Sequence, residues 1–75
     1  MANLMTPETA PTPTALRVFR AARGLTQREL AELANVSPRT VHRLEHGELG
    51  SLRTLRKLAA ALAVPVEQLL GPGEE

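Results

Sequence analysis

The sequence predicts an all-α fold, a compact bundle of five short helices in which the second and third form a helix-turn-helix. Three observations predict it. Apolar residues recur at three- and four-residue spacing, and no sustained two-residue alternation of β-branched residues supports a strand. Cap residues punctuate the chain: Thr26, Ser37 and Ser51 stand just before apolar-periodic segments, and Gly24 and Gly47 just after others. The stretch over 26–47, TQRELAELANVSPRTVHRLEHG, reads as two short helices joined by a tight turn.

Each helix has its own local justification. The first is expected over about 14–22, with Leu16 and Phe19 on one face and Gly24 just beyond its end. The second starts at Thr26, where T-Q-R-E is a capping box. Thr26 can accept from the Glu29 amide while the Glu29 carboxylate reaches back. Its expected apolar face is Leu30, Leu33 and Ala34, with the small Ala31 beside them. Asn35 follows where the chain must turn, because Asn tolerates the left-handed conformation better than other non-glycine residues. The third helix has Ser37 as N-cap and Pro38 at its first position, where a missing N–H leaves no bond unmade. Val41 and Leu44 face inward and Gly47 stops it. The fourth starts at Ser51 and carries Leu52, Leu55, Leu58, Ala59 and Leu62 as a core stripe. The fifth, introduced by Pro65, is expected over about 66–70.

Composition narrows the function classes. Seventy-five residues suffice for one small domain, expected over 14–71. The stretch 1–13 carries Pro7, Pro11 and Pro13 with several threonines and little apolar content, and reads as a flexible tail; 72–75 reads as a second, short tail. A domain of this size buries only about 60% of its unfolded surface, and with no cysteine it has neither disulfides nor thiolate zinc to staple it. A helical core, helped by dimerisation, is the remaining route to stability. Phe19 is the single aromatic residue, which argues against stacking on unpaired bases. No apolar run nears the roughly 20 residues of a membrane span and no secretory signal is evident, so no membrane partner is expected; the lack of cysteine fits the expected cytoplasmic location.

The net charge of +1 looks uninformative until it is divided along the chain. All nine basic residues lie between Arg17 and Lys57, whereas Glu8, Glu74 and Glu75 sit in the tails. The body keeps nine cations against five glutamates, a net +4. A basic body between acidic tails suits a polyanion partner, although small soluble domains often carry such a charge without one.

Two features point to duplex DNA. The turn is the first: the second helix ends, Asn35 turns, Val36 plugs the corner, and Ser37 caps a new helix. The small Ala31 permits close packing of the two helices. The same turn is compatible with an αα-corner that binds nothing. The outer face of the third helix is the second feature. Arg39, His42, Arg43 and His46 fall at i, i+3, i+4 and i+7, opposite Val41 and Leu44. Arg can donate two hydrogen bonds to the O6/N7 edge of guanine, and Ser37 at the helix tip can reach a base edge or a phosphate. The bland alternative is a solvated polar face, but this one presents four donors and no carboxylate.

The same helix holds a rival motif. His42-Arg43-Leu44-Glu45-His46 matches the H-x-x-E-H pattern of zinc peptidases. A catalytic zinc needs a third protein ligand and a substrate cleft. Gly47 ends the helix at once, the chain contains no Asp or Cys, and Glu45 sits nearer the core side. No nucleophile–base pair, phosphate-binding glycine loop or paired-carboxylate constellation is present, and Ser37 and Ser51 are explained as caps. No enzyme, metal site or cofactor is expected.

The residues resemble a known family. Arg23-Gly24-Leu25-Thr26-Gln27 through Leu30-Ala31, then Val36-Ser37, Val41, Leu44-Glu45, Gly47, and Ser51-Leu52-x-x-Leu55 through Leu62, are similar to the phage-repressor helix-turn-helix family (Cro/repressor-type, or xenobiotic-response-element). The likeness covers about 16–70, essentially the whole body. It implies a five-helix domain that binds double-stranded operators, usually as a symmetric dimer. By position it implies that Gln27 binds backbone phosphate at a helix N-terminus, that Ser37, Pro38, Arg39, His42 and Arg43 read bases, and that Thr40 touches phosphate. It also implies that Arg20 and Glu45 pair as a buried ion bridge.

Three departures from the family pattern matter. Asn35 replaces the commonest turn glycine. Pro38 stands where many relatives carry a polar base contact, and offers only apolar contact, for example to a thymine methyl. The segment over 47–51 is shorter than usual and puts Glu48 where relatives often have a basic phosphate contact, which weakens affinity or moves that contact to Arg53.

The expectation is therefore a small transcriptional regulator of the repressor kind, with the helix over 38–46 in the major groove. Homodimerisation is expected through Val66, Leu69 and Leu70, whose apolar surface exceeds what a short helix buries alone. The competing expectation is a protein-interaction module or antitoxin that docks a toxin or antirepressor through its C-terminal helix.

Overall fold

The computed structural model describes residues 14–70; the expected tails and Gly71 lie outside the described residues. Four α-helices follow one another: α1 Ala15–Ala22, α2 Gln27–Ala34, α3 Pro38–Glu45 and α4 Leu52–Leu62. Among the described residues there is no strand.

The expected fifth helix is corrected to a single 3-10 turn over Val66–Leu69. Pro65 holds an extended backbone before it, and only four residues follow in helical geometry. That is too short a run to offset the nucleation of an α-helix. The i→i+3 bonds Gln68 N–H to Pro65 O (3.0 Å) and Leu70 N–H to Glu67 O (3.3 Å) close the tighter turn instead.

Side chains cap every α-helix start. Thr14 Oγ1 accepts from the Arg17 amide at 3.2 Å, Ser37 Oγ from Thr40 at 3.1 Å and Ser51 Oγ from Thr54 at 3.1 Å. At α2 both halves of the capping box form: Glu29 N–H to Thr26 Oγ1 at 3.0 Å and Thr26 N–H to Glu29 Oε1 at 2.9 Å. Asn35 sits in the left-handed region at φ 58°, ψ 47°, which ends α2 and frees the chain to turn into α3. Ala63 takes nearly the same conformation at the end of α4, φ 60°, without the polar side chain that eases it for Asn.

The core is built around α2, which packs on α3 and on α4, while the 3-10 turn packs back against α4 and α1. Leu30, Val41, Leu58 and Leu62 are its fully buried side chains. Ala31 is also buried, on the helix that packs against α3. Two leucines expected inside are outside. Leu33 lies roughly 110° from the centre of the arc formed by Leu30, Ala31 and Ala34, at about 100° per residue, and is 62% exposed. Leu52, in the first turn of α4, is 46% exposed.

Candidate nucleic-acid interface

The two faces of α3 have opposite chemistry. Its inner face buries Val41, Leu44 and Glu45. Its outer face exposes Arg39, His42 and Arg43, and His46 follows as the C-cap, also exposed. Because Ser37 and Pro38 fix where the helix starts, they also fix which side chains face out. A shallow, open concavity runs along this face, lined by Gln27 from α2, by Pro38, Arg39, His42 and Arg43 from α3, and by Glu48 beyond it.

Beneath the concavity lies an ion pair that holds α3 to α1. Arg20 grips Glu45 with two bonds, Nε to Oε2 at 2.5 Å and Nη2 to Oε1 at 3.0 Å. The Glu45 side chain is only 2% exposed. Arg20 Nη1 donates to the Leu25 carbonyl at 2.6 Å, and Gln27 Nε2 donates to Glu45 Oε1 at 3.1 Å. Burial pushes the Glu45 carboxyl up, but the hydrogen bonds from Arg20 and Gln27 and the charges of Arg20 and Arg17 outweigh it. The carboxyl therefore titrates below the usual range, and the hydrogen bond to Glu45 raises Arg20 further still. The glutamate of the H-x-x-E-H run is thus committed to a structural pair. His46 Nδ1 is committed as well, at 2.8 Å from the His42 carbonyl. A carbonyl only accepts, so that nitrogen carries the proton. The two imidazoles lie against each other with centroids 4.1 Å apart.

The remaining site candidates are less free than the sequence suggests. Ser37 Oγ caps α3 and shares a 2.9 Å hydrogen bond with Thr40 Oγ1, so in any further contact Ser37 has two bonds already made and the Thr40 hydroxyl one. Gln27 keeps its amide nitrogen on Glu45. Arg53 is exposed on the first turn of α4, outside the residues that line the concavity. Arg43 Nε donates to Glu48 Oε1 at 2.7 Å across the end of α3. Sequence reasoning missed that pair and the Gln27–Glu45 bond. A signal for the first was present: Gly47 marks a helix-ending turn, which brings the residue after it beside the one four places before it.

The chain matches the helix-turn-helix family over residues 16–69, the span that contains α1 to α4 and the 3-10 turn. It belongs to the Cro/C1-type helix-turn-helix family. It is 42% identical over 57 residues to the uncharacterised HTH-type transcriptional regulator RghRB of Bacillus subtilis, covering 73% of this chain and 41% of that protein. It is 46% identical over 59 residues to the HTH-type transcriptional regulator PrtR of Pseudomonas aeruginosa, 77% of this chain and 23% of the relative. It is 39% identical over 62 residues to the candidate antitoxin HigA2 of Mycobacterium tuberculosis, 80% of this chain and 61% of the relative. The chain thus spans less than two thirds of the length of each.

Of the C-terminal residues expected at a dimer surface for their apolar excess, Leu69 packs partly into the core, Val66 is half-buried and Leu70 is 39% exposed. The apolar excess expected of this segment is smaller than the sequence suggests, because the 3-10 turn folds Leu69 back onto the bundle. Among the described residues no helix is long and apolar enough to cross a membrane.

Proposed function

We propose that this chain binds double-stranded DNA sequence-specifically as a cytoplasmic transcriptional regulator of the repressor kind, with α3 in the major groove. The observation that carries the reading is the outer face of α3. It presents Arg39, His42 and Arg43 to solvent in one concavity, while the buried Arg20–Glu45 pair fixes the helix from behind. Arg39, His42 and Arg43 read base edges with Ser37 and Pro38 at the helix tip; Gln27, Thr40 and Arg53 position the backbone. Ser37 and Ser51 serve as caps and Glu45 in its ion pair, which supports a binding role over an enzymatic one.

The domain acts over 14–71, and pairs through Val66, Leu69 and Leu70 as a homodimer whose half-sites lie about 34 Å apart. The likeness to HigA2 favours a second reading, in which the same domain also docks a toxin. A third partner class, an antirepressor, would use the same C-terminal surface.

Selection of bound duplexes from a random pool tests the reading. Arg39→Ala should cost about 1–3 kcal/mol at the selected site and relax preference at one position, whereas Gln27→Ala should weaken all sites alike. Binding should also fall steeply with salt through counterion release. Equal losses on every duplex for both variants, or a flat salt dependence, would refute the assignment.

A further inference from the structure

The end of α3 is organised around Arg43. Gly47, at φ 91°, donates its N–H to the Leu44 carbonyl at 3.1 Å, and the Glu48 N–H reaches back to the Arg43 carbonyl at 3.1 Å. These two bonds are a Schellman turn. They place the Glu48 backbone beside Arg43 independently of any side-chain attraction. The side chains then meet, Arg43 Nε to Glu48 Oε1 at 2.7 Å. Both are more than half exposed, at 58% and 52%, and both line the concavity. An ion pair this exposed adds little to folding, yet a carboxylate here opposes any approach of phosphate. Its place on the reading face therefore calls for a role in recognition.

We propose that Glu48 is a positioning residue for base reading, an inference that rests on the DNA-binding role argued above. By accepting from Nε, Glu48 holds the guanidinium plane and leaves the two Nη nitrogens to donate to one base edge, the O6/N7 edge of guanine. Its charge also repels the backbone. Non-cognate duplexes, which are bound through phosphates alone, are therefore weakened more than a site at which Arg43 finds its guanine. Specificity rises at the expense of general affinity.

The test compares the full chain with Glu48→Gln, Glu48→Ala, Arg43→Ala and the Arg43→Ala/Glu48→Ala double variant. Binding is measured on a selected duplex, on its single-base variants and on a scrambled duplex, after thermal melting has shown each variant folded. Both Glu48 variants should bind the scrambled duplex about two- to fivefold more tightly, the size of one exposed charge effect. Glu48→Ala should lose about tenfold of discrimination at one base pair. Glu48→Gln, whose amide oxygen still accepts from Nε, should keep most of it. In the Arg43→Ala background, Glu48→Ala should change no base preference. The proposal is overturned if Glu48→Ala tightens selected and scrambled duplexes by the same factor with preferences intact, or if its effect survives without Arg43. A wild-type protein that retains no duplex from the pool would instead overturn the DNA-binding role itself, and this inference with it.

Discussion

Two Arg–Glu pairs flank the same helix, and they differ in almost everything except their chemistry. Behind α3, Arg20 holds Glu45 at 2.5 Å; at its end, Arg43 holds Glu48 at 2.7 Å. Both bonds run from Nε to a carboxylate oxygen. The first pair is 16% and 2% exposed, the second 58% and 52%. The buried carboxylate receives two bonds from Arg20 and one from Gln27, while Arg20 also reaches the Leu25 carbonyl. The exposed carboxylate receives one. A pair taken out of water is tolerated only when its remaining donors and acceptors are satisfied. A pair left in water has no such requirement and contributes correspondingly little. The contact type is thus a poor guide to what a pair does: solvent decides whether it braces the fold or serves the surface.

Halving the buried pair has the largest expected effect. Glu45→Ala leaves Arg20 and Gln27 without their acceptor and should destabilise the domain by roughly 3–5 kcal/mol in urea unfolding. Arg20→Met/Glu45→Leu, which removes both charges and refills the space, should restore most of that stability. The same pair sets an acid limit. The folded-state pKa of Glu45 is lowered, so the pair's contribution is fully present above the unfolded glutamate value of about 4.3 and is lost as pH falls through the lower folded value. Stability measured from neutral pH downward should therefore drop below about pH 4.3 in the wild type. Glu45→Gln should lack its part of that slope. A wild-type slope unchanged by Glu45→Gln would show that other carboxylates set the acid limit.

How much of this could be read beforehand depends on distance along the chain. The caps at Thr26, Ser37 and Ser51, the left-handed Asn35 and the inward Val41 and Leu44 follow from local rules, and the structure has them. Leu33 and Leu52 lie outside the core because three- and four-residue spacing marks an apolar stripe without saying how wide an arc the neighbours cover. The C-terminal segment differs for a similar reason: Val66, Leu69 and Leu70 fit helical spacing, but four residues after a proline close as a 3-10 turn. The bond between Arg20 and Glu45 spans 25 residues. No periodicity carries that information, and only the family resemblance implied it. Arg43 and Glu48 are five apart, close enough for the glycine between them to have announced the contact.

A smaller effect separates the turn that places Glu48 from the one that ends α4. Both use a left-handed residue, Gly47 at φ 91° and Ala63 at φ 60°. Glycine adopts this region freely, whereas a Cβ there costs on the order of 1 kcal/mol. Gly47→Ala should therefore destabilise by about 1 kcal/mol, and Ala63→Gly should stabilise by roughly 0.4–1 kcal/mol despite the extra chain entropy it introduces. The two changes also differ in reach. Gly47→Ala should disturb DNA discrimination because it shifts Glu48; Ala63→Gly, on a turn remote from that pair in sequence, should leave discrimination alone. Thermal melts and duplex binding on the same two variants check both halves.

The smallest expected change in stability belongs to Glu48 itself. Both ends of its bond to Arg43 are more than half exposed, so water and salt screen the attraction, and ordering two long side chains offsets much of the rest. Glu48→Ala should shift unfolding by about 0.5 kcal/mol or less, with the Schellman turn intact because its bonds are made by backbone. A loss as large as that of Glu45→Ala would mean that the exposed pair braces α3 as the buried one does. Near-neutral stability together with altered base preference would place the two pairs on opposite sides of a division of labour, one holding the helix and the other aiming a side chain from it.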